Sequence, residues 1–189
     1  MTTLAALHKP GYGTVIGSDS QVTMGNRKTT LNGGKWITAH GWAIGVSGYL
    51  RTHNIIDSVK EEMLEDLEGP FDFSSRLLNL LKSAGYCPDN ESGPPDYGAA
   101  VLLASSEGLW NIDDLGSVVA AGPGELVAGG SGSGYAFGAG YALRNLTSDP
   151  KKRVQAAIEA GAFFDPYSGG DVWMMQLKIS TKRRKISKQ

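Results

Sequence analysis

Alternation of apolar and polar residues runs through the first quarter of the chain and returns in its middle. Successive side chains of a strand point to opposite faces, so alternation predicts β-strands with one buried face. Two hairpins are predicted, with strands at 2–9 and 13–19 and at 35–38 and 42–48. Further strands are predicted at 99–104, 109–112, 118–121, 126–128 and 172–179.

Helical spacing of apolar residues occurs in two blocks between the strands. The first block predicts one helix over 55–67, ended by Gly69-Pro70, and a second over 73–84. The later block predicts helices over 135–146 and 151–164, the latter starting at Asp149-Pro150. Residues 86–97 have the composition of a loop. Blocks of strands and helices in this order predict an α+β fold, a four-layer α-β-β-α sandwich.

Composition narrows the class of protein. A chain of 189 residues with 41% hydrophobic content predicts one globular domain, residues 1–180, followed by a basic tail at 181–189. The net charge of −1 gives no argument for a nucleic-acid or membrane partner. A single cysteine, Cys87, excludes an intrachain disulfide. Because no signal peptide and no long apolar stretch are evident, a cytoplasmic location is predicted.

Glycine is abundant, with 26 residues that cluster at 122–140 and 161–170, where close backbone approach or positive φ is expected. The run at 129–134 follows a strand and opens a helix, as a phosphate loop does, but it matches neither nucleotide-binding pattern. The three histidines, His8, His40 and His53, lack metal-ligand spacing and are predicted to be ordinary.

Thr2 follows directly after Met1. If Met1 is removed, Thr2 carries a free amine that can serve as base for its own hydroxyl. Asp19 ends one apolar strand and Lys35 begins another. Taken alone they read as two solvated charges, although their apolar flanks slightly favour pairing. A lysine near the amine would lower the amine's pKa and keep it neutral near pH 7.

The order of these residues and several short motifs resembles the proteasome-type threonine peptidases of the N-terminal-nucleophile (Ntn) hydrolase superfamily. The segment at 17–26, GSDSQVTMGN, is similar to HslV peptidases, and the segments at 130–136 and 165–170 are more similar to proteasome β subunits. The remaining matches are Thr2-Thr3-Leu4, Lys35 and the segment at 44–48. The resemblance extends from Thr2 to about Leu177 and implies the same four-layer fold.

The resemblance also implies roles for individual residues. Thr2 would be the nucleophile and its amine the general base, Lys35 would set the local charge, and Asp19 would orient Lys35. The backbone N–H of Gly45 would stabilise the oxyanion. The residues expected to hold the amine and a water are Ser131, Asp165 and Ser168.

Substrate and cation contacts follow from the same resemblance. The expected pocket residues are Val22, Ile37, Ala43, Ser47 and Arg51, and an inward Arg51 would favour acidic side chains. Thr23 and Ser47 would pair with an extended peptide backbone. No cofactor is expected for catalysis, but backbone carbonyls of Ala162, Asp165 and Ser168 would hold a structural Na⁺ or Mg²⁺.

The function implied is a threonine-type endopeptidase subunit that cuts unfolded polypeptides inside homo-oligomeric stacked rings, with an ATP-dependent unfoldase ring as partner. Because only Met1 precedes Thr2, maturation by methionine aminopeptidase is expected. Two alternatives remain open from the sequence. One is a non-catalytic structural ring subunit that keeps Met1, and the other is an Ntn amidase that acts on a small-molecule amide.

Overall fold

The computed structural model describes residues 2–31, 33–85 and 99–179. Its strands are β1 (Leu4–Lys9), β2 (Gly13–Ser18), β3 (Gln21–Met24), β4 (Arg27–Thr30), β5 (Trp36–Ala39), β6 (Trp42–Gly48), β7 (Ala99–Ser105), β8 (Leu109–Ile112), β9 (Val118–Ala120), β10 (Leu126–Gly129) and β11 (Trp173–Leu177). Its helices are α1 (Leu50–Ser58), α2 (Lys60–Leu64), α3 (Pro70–Ser83), α4 (Ser133–Ala142) and α5 (Pro150–Phe164).

Two antiparallel sheets form the centre of the fold. The first has the strand order β10-β1-β2-β11, and the second is the meander β5-β6-β7-β8-β9. Strand β1 shows why they stack: Leu4 and Ala6 face the second sheet, whereas Ala5 and Leu7 face the helices α4 and α5. The alternation of side chains along one strand therefore contributes to two separate cores.

Three apolar cores separate four layers. One core joins α4 and α5 to the first sheet, one lies between the two sheets, and one joins the second sheet to α1, α2 and α3. The α+β class and the α-β-β-α sandwich predicted from the sequence are therefore confirmed. Trp36 ties the two sheets together, since its indole N–H donates to the Gly17 carbonyl at 2.8 Å.

The helix predicted over 55–67 was wrong in its extent. Helix α1 begins earlier, at Leu50, and the chain leaves helical geometry at Val59, where φ is −125°. The Ser58 hydroxyl donates to the Ile55 carbonyl at 2.7 Å, which gives the end of α1 a local partner in place of a continuing helix. The second segment, α2, then stops at Leu64.

A hairpin at Gln21–Thr30 was missing from the sequence prediction, because this stretch is polar and its β4 strand is exposed throughout. Gly25, at φ +58°, supplies the turn between β3 and β4. The predicted loop at 86–97, Cys87 and the basic tail at 181–189 all lie outside the described residues. Within the described residues, no helix has the length and apolarity needed to cross a membrane.

Candidate active site

The register of the first sheet fixes the position of the chain start. Leu4 pairs with Ser18 on β2 and with Gly129 on β10, so the two residues before Leu4 emerge between the ends of these strands. The Thr3 carbonyl accepts the Asp19 N–H at 3.1 Å, and the Thr2 carbonyl accepts the Gly132 N–H at 3.3 Å. A chain start that would otherwise fray is thereby held on both sides, and Thr2 is only 6% exposed.

Glycines allow this close approach. Gly130 has φ +90°, and a Cβ at that position would collide with the Thr2 carbonyl. A Cβ at Gly161, on α5, would collide with the Thr3 side chain. The expectation that glycine clusters mark tight backbone approach or positive φ therefore holds at the chain start.

Asp19 is the centre of the hydrogen bonding beneath Thr2. Its Oδ1 accepts the Lys35 ammonium at 2.7 Å and the Thr3 N–H at 2.8 Å. Its Oδ2 accepts the N–H groups of Gly169 at 3.0 Å and Gln21 at 3.2 Å. This carboxylate, whose side chain is 1% exposed, joins the neighbouring β3 strand to three segments that are distant in sequence. The pairing of Asp19 and Lys35 implied by the resemblance is present.

Lys35 lies in an unusual environment for a lysine. Its side chain is 5% exposed, and its backbone N–H donates to the Ser18 hydroxyl at 2.9 Å. Burial lowers the pKa of Lys35 below its ordinary value of 10.5, and the carboxylates of Asp19 and Asp165 oppose that shift. The ion pair with Asp19 keeps the lysine charged next to Thr2, with which it lines a common cavity.

A second network surrounds the Thr2 nitrogen, which donates to the Ser131 hydroxyl at 3.4 Å. Ser131 donates to Asp165 Oδ2, which also accepts the Ser168 hydroxyl at 2.6 Å. Ser168 in turn accepts the Thr3 hydroxyl at 2.8 Å. The three residues predicted to surround the Thr2 amine are thus brought together around a single carboxylate oxygen.

The same network sets the ionisation of Asp165. Burial alone would raise the pKa of Asp165, but hydrogen bonds from the Ser131 and Ser168 hydroxyls and the Tyr167 N–H outweigh burial and lower it below 3.8. Asp165 is therefore a carboxylate at neutral pH, and it can accept protons shared by its hydroxyl partners.

A cavity of about 520 Å³ opens beside Thr2. Its walls come from the β3–β4 hairpin, the end of β6 and the start of α1, and most of them are apolar. The lining residues are Thr2, Val22, Thr23, Met24, Leu31, Lys35, Val46, Gly48, Tyr49, Leu50 and His53. Val22 and Thr23 thus lie where the sequence predicted substrate contacts.

A second cavity, of about 570 Å³, lies on the other side of Thr2. Ser47, Gly48 and Ser131 line it together with Asp113 and Asp114. The Asp113 carboxylate is held by the N–H groups of Leu115 and Ser117, at 3.0 and 2.8 Å. Thr2, Gly48 and Tyr49 belong to both cavities, so a chain that fills both must pass over these three residues.

Gly45 lies away from the position predicted for the oxyanion donor. It is in the middle of β6, paired with Trp36 and Leu102, and its Cα faces Leu4 and Trp36 between the sheets. Gly48, three residues further on, ends β6 at φ +140° and lines both cavities beside Thr2. Gly48 is therefore the better-placed backbone donor.

Three predicted pocket residues also lie elsewhere. Ile37 packs in the core between the second sheet and the helices, and Ala43 packs between the sheets. Arg51 is exposed on α1 and donates to the Ala84 carbonyl at 3.4 Å, outside the cavity lining. The alternation of strand faces explains Ala43, because Val46, three residues further along β6, lies on the opposite face and lines the cavity. Ile37 shares the face of Val46 but pairs with Ile44, two positions further from the cavity. The sequence did not assign Gly48 or His53 to the site. The Gly-Tyr-Leu run that begins with the last residue of β6 signals a strand end there.

The carbonyls predicted to hold a cation lie at the end of α5 and in the turn that follows. The Asp165 carbonyl already accepts the Ser168 N–H at 3.1 Å, which leaves one lone pair for a cation. Hard cations such as Na⁺ and Mg²⁺ prefer oxygen ligands of this kind. A structural cation at these carbonyls stays a prediction.

The fold and this arrangement can be compared with solved structures. Thiobacillus denitrificans BPH in complex with epoxomicin superposes with a TM-score of 0.78 at 25% identity, over 94% of this chain and 100% of that chain. A second structure of the same protein gives a TM-score of 0.78 at 24% identity, over 95% and 100% of the two chains. The eukaryotic HslV of Trypanosoma brucei superposes with a TM-score of 0.67 at 23% sequence identity, over 93% of this chain and 99% of that chain.

The chain has an HslV-like, proteasome β-type fold. No protein-family model matches the sequence, and a search of curated proteins finds no match either. The assignment of this proteasome-type fold therefore rests on three-dimensional similarity that covers nearly the whole chain. Together with the arrangement around Thr2, the similarity supports a proteasome-like protease subunit.

Replacing Asp19 by Asn should destabilise the protein strongly. The substitution leaves the buried Lys35 charge without its counterion, and loss of one partner of a buried pair costs about 3–5 kcal/mol of unfolding free energy. Chemical denaturation measures this difference. Asp57→Asn is the matched control, because it breaks the exposed pair between Asp57 and Lys60 and should have little effect. Equal losses in both variants would contradict a central role for Asp19.

Proposed function

We propose that this protein is a threonine-type endopeptidase with Thr2 as its N-terminal nucleophile. One observation carries the proposal: the Thr2 nitrogen contacts the Ser131–Asp165 network, the buried Asp19–Lys35 pair lies beneath it, and two cavities meet at Thr2. A nucleophile, a charge-setting lysine and a substrate groove thus converge on one residue. That convergence favours acyl transfer over a purely structural role.

Activation requires that the Thr2 nitrogen become a free amine. In the full chain it belongs to the peptide bond after Met1, so removal of Met1 is part of the proposal. The amine then takes the proton of the Thr2 hydroxyl, directly or through a water held by Ser131. The nearby Lys35 charge lowers the amine's pKa from the usual 7.7–8.0 and keeps it neutral at about pH 7.

The chemistry proceeds by a covalent intermediate. Thr2 Oγ attacks the scissile carbonyl, and the Gly48 N–H stabilises the tetrahedral oxyanion in place of Gly45. Collapse of this intermediate returns the proton to the leaving amine and forms an ester on Thr2. Water, activated by the same amine, hydrolyses the ester. A donor of the Gly48 kind contributes about 10²–10³-fold in rate.

Extended peptide is the substrate form that suits the groove. Within the described residues, β3 pairs only with β4, and β6 pairs with β5 only as far as Gly45. Two open strand edges, which carry Thr23 and Ser47, therefore flank Thr2. Backbone pairing with these edges recognises any unfolded segment, as β-augmentation does. We propose unfolded polypeptide as the substrate, and epoxomicin, bound by T. denitrificans BPH, as a ligand of Thr2.

Assembly and partners follow from the same resemblance. Homo-oligomeric stacked rings would enclose the Thr2 sites, and an ATP-dependent unfoldase ring would supply unfolded chains. A Na⁺ or Mg²⁺ on the carbonyls of Ala162, Asp165 and Ser168 would stabilise the turn that carries Asp165 without taking part in catalysis. We also propose a cytoplasmic location. The two alternatives, a non-catalytic ring subunit and a small-molecule amidase, are separated from this proposal by the tests below, since neither would hydrolyse an unfolded polypeptide.

Replacing Thr2 by Ala should abolish hydrolysis of an unfolded casein-type substrate, with a loss of at least about 10³-fold in kcat because the nucleophile is gone. Thr2→Ser keeps a hydroxyl and an amine and should retain measurable activity. Native mass spectrometry of both variants checks that assembly is unchanged. Undiminished hydrolysis by the alanine variant would refute Thr2 as nucleophile.

Replacing Lys35 by Met should shift the acid limb of the pH–rate profile upwards. Without the lysine charge, and with the Asp19 carboxylate left behind, the Thr2 amine holds its proton to higher pH. A rise of about one pH unit corresponds to a tenfold loss of rate on the acid limb. Lys35→Arg keeps the positive charge and serves as the control. An acid limb that stays in place in the methionine variant would show that Lys35 does not tune the amine.

A further inference from the structure

His53 lies in the wall of the first cavity, the one of about 520 Å³, which Thr2 also lines. It is on the first turns of α1, one helical position beyond the fully buried Thr52, and it is half-buried itself. The site proposed above does not use it. The inference drawn from it rests on the peptidase function proposed for Thr2.

The other charges around the cavity are accounted for. Lys35 is held by Asp19, and Tyr49 contributes a phenol. The remaining described lining, apart from the Thr2 amine and the Thr23 hydroxyl, is apolar. Arg51, which the sequence suggested as the charge of this pocket, lies outside the lining. His53 is thus the imidazole of the described lining, the type of side chain whose ordinary pKa lies closest to neutrality.

Charged groups from the neighbouring elements also act on His53. Asp57, one turn along α1, favours its protonation, whereas Lys35 and Lys60 oppose it. Burial is the largest effect and lowers the pKa of His53 below its ordinary 6.5, against the opposing effects of Asp57 and Asn54. Burial thus favours the neutral form of His53, and protonation requires a lower pH than it does for an exposed imidazole.

We propose that His53 determines which substrate side chain the cavity accepts. With neutral His53 the cavity has mainly apolar walls, and the Lys35 ammonium in its lining is already paired with Asp19. The cavity then suits a large aliphatic or aromatic side chain and penalises a carboxylate, whose desolvation would be poorly compensated. With protonated His53 the ring N–H can donate to the carboxylate of Glu or Asp, which stays ionised down to about pH 4. Selection of apolar over acidic side chains should therefore weaken as pH falls.

Two peptides that differ only in the residue whose carbonyl is attacked, Leu or Glu, test this proposal. The ratio of kcat/KM for Glu to that for Leu should rise about tenfold from pH 7.5 to pH 5, the size of one charge-assisted hydrogen bond. Protonation of the Thr2 amine lowers kcat/KM for both peptides by the same factor, so its effect cancels in the ratio. In His53→Gln the ratio should stay flat while the Leu peptide is still cut.

His40→Gln is the matched control, since His40 is a partly exposed histidine paired with Glu61, away from the cavity. This variant should show the same rise in the Glu-to-Leu ratio of kcat/KM as the unmodified protein. Arg51→Gln should show it too. A ratio that does not change with pH, or an equal rise in His53→Gln, would overturn the role of His53.

Binding separates this inference from the proposed function. The same peptides, titrated into Thr2→Ala, give the ratio of affinities without catalysis. Absence of cleavage of either peptide by the unmodified protein would contradict the proposed peptidase. The ratio of the Glu-peptide affinity to the Leu-peptide affinity would still decide the role of His53. A rise of this ratio as pH falls would support that role, and a ratio that does not change with pH would contradict it.

Discussion

The buried carboxylate of Asp19 is the interaction on which the rest of the site depends. It accepts four hydrogen bonds from four segments, the chain start, the β3 strand, the residue before β5 and the turn after α5. A buried carboxylate is stable only when it is paired and fully hydrogen-bonded. The fold meets that requirement by bringing exactly those segments to one end of the sandwich, and Thr2 is positioned as a consequence.

The four-layer architecture explains why the site has enough rigidity for chemistry. Leu4 and Ala6 pack against the second sheet, and Ala5 and Leu7 pack against α4 and α5. A chain start would ordinarily be mobile, but β1 is central in its sheet and is buried on both faces. The same packing leaves open strand edges beside Thr2, so a rigidly held Thr2 and an open groove occur together, as the proposed function requires.

Much of this could be predicted from the sequence, because the signals are local. Alternation located β1, β2, β5 and β6, and the apolar flanks of Asp19 and Lys35 slightly favoured their pairing. The resemblance to proteasome-type peptidases supplied Ser131, Asp165 and Ser168, and the structure places these around one oxygen. The prediction of the oxyanion donor failed because it depended on the register of β6. A shift of a few positions along β6 separates Gly45, within the sheet, from Gly48, at the site.

The prediction of the pocket residues was limited in the same way. Ile37 and Ala43 belong to strands next to the site, but their faces point into the cores, and no pattern in the sequence gives the side of a strand buried on both faces. His53 looked ordinary for the opposite reason. Its position follows from the early start of α1 at Leu50, which propensity did not indicate. The charge at this pocket therefore had to be found from the position of α1 beside β6, where its first turns line the cavity.

Intact-mass analysis of the purified protein, with and without a covalent threonine-peptidase inhibitor, tests the central claim most directly. The account predicts a chain that lacks Met1 and gains the mass of one inhibitor, and it predicts no gain in Thr2→Ala. A mature chain that retains Met1, or one that lacks Met1 and takes up no inhibitor, would contradict Thr2 as the nucleophile.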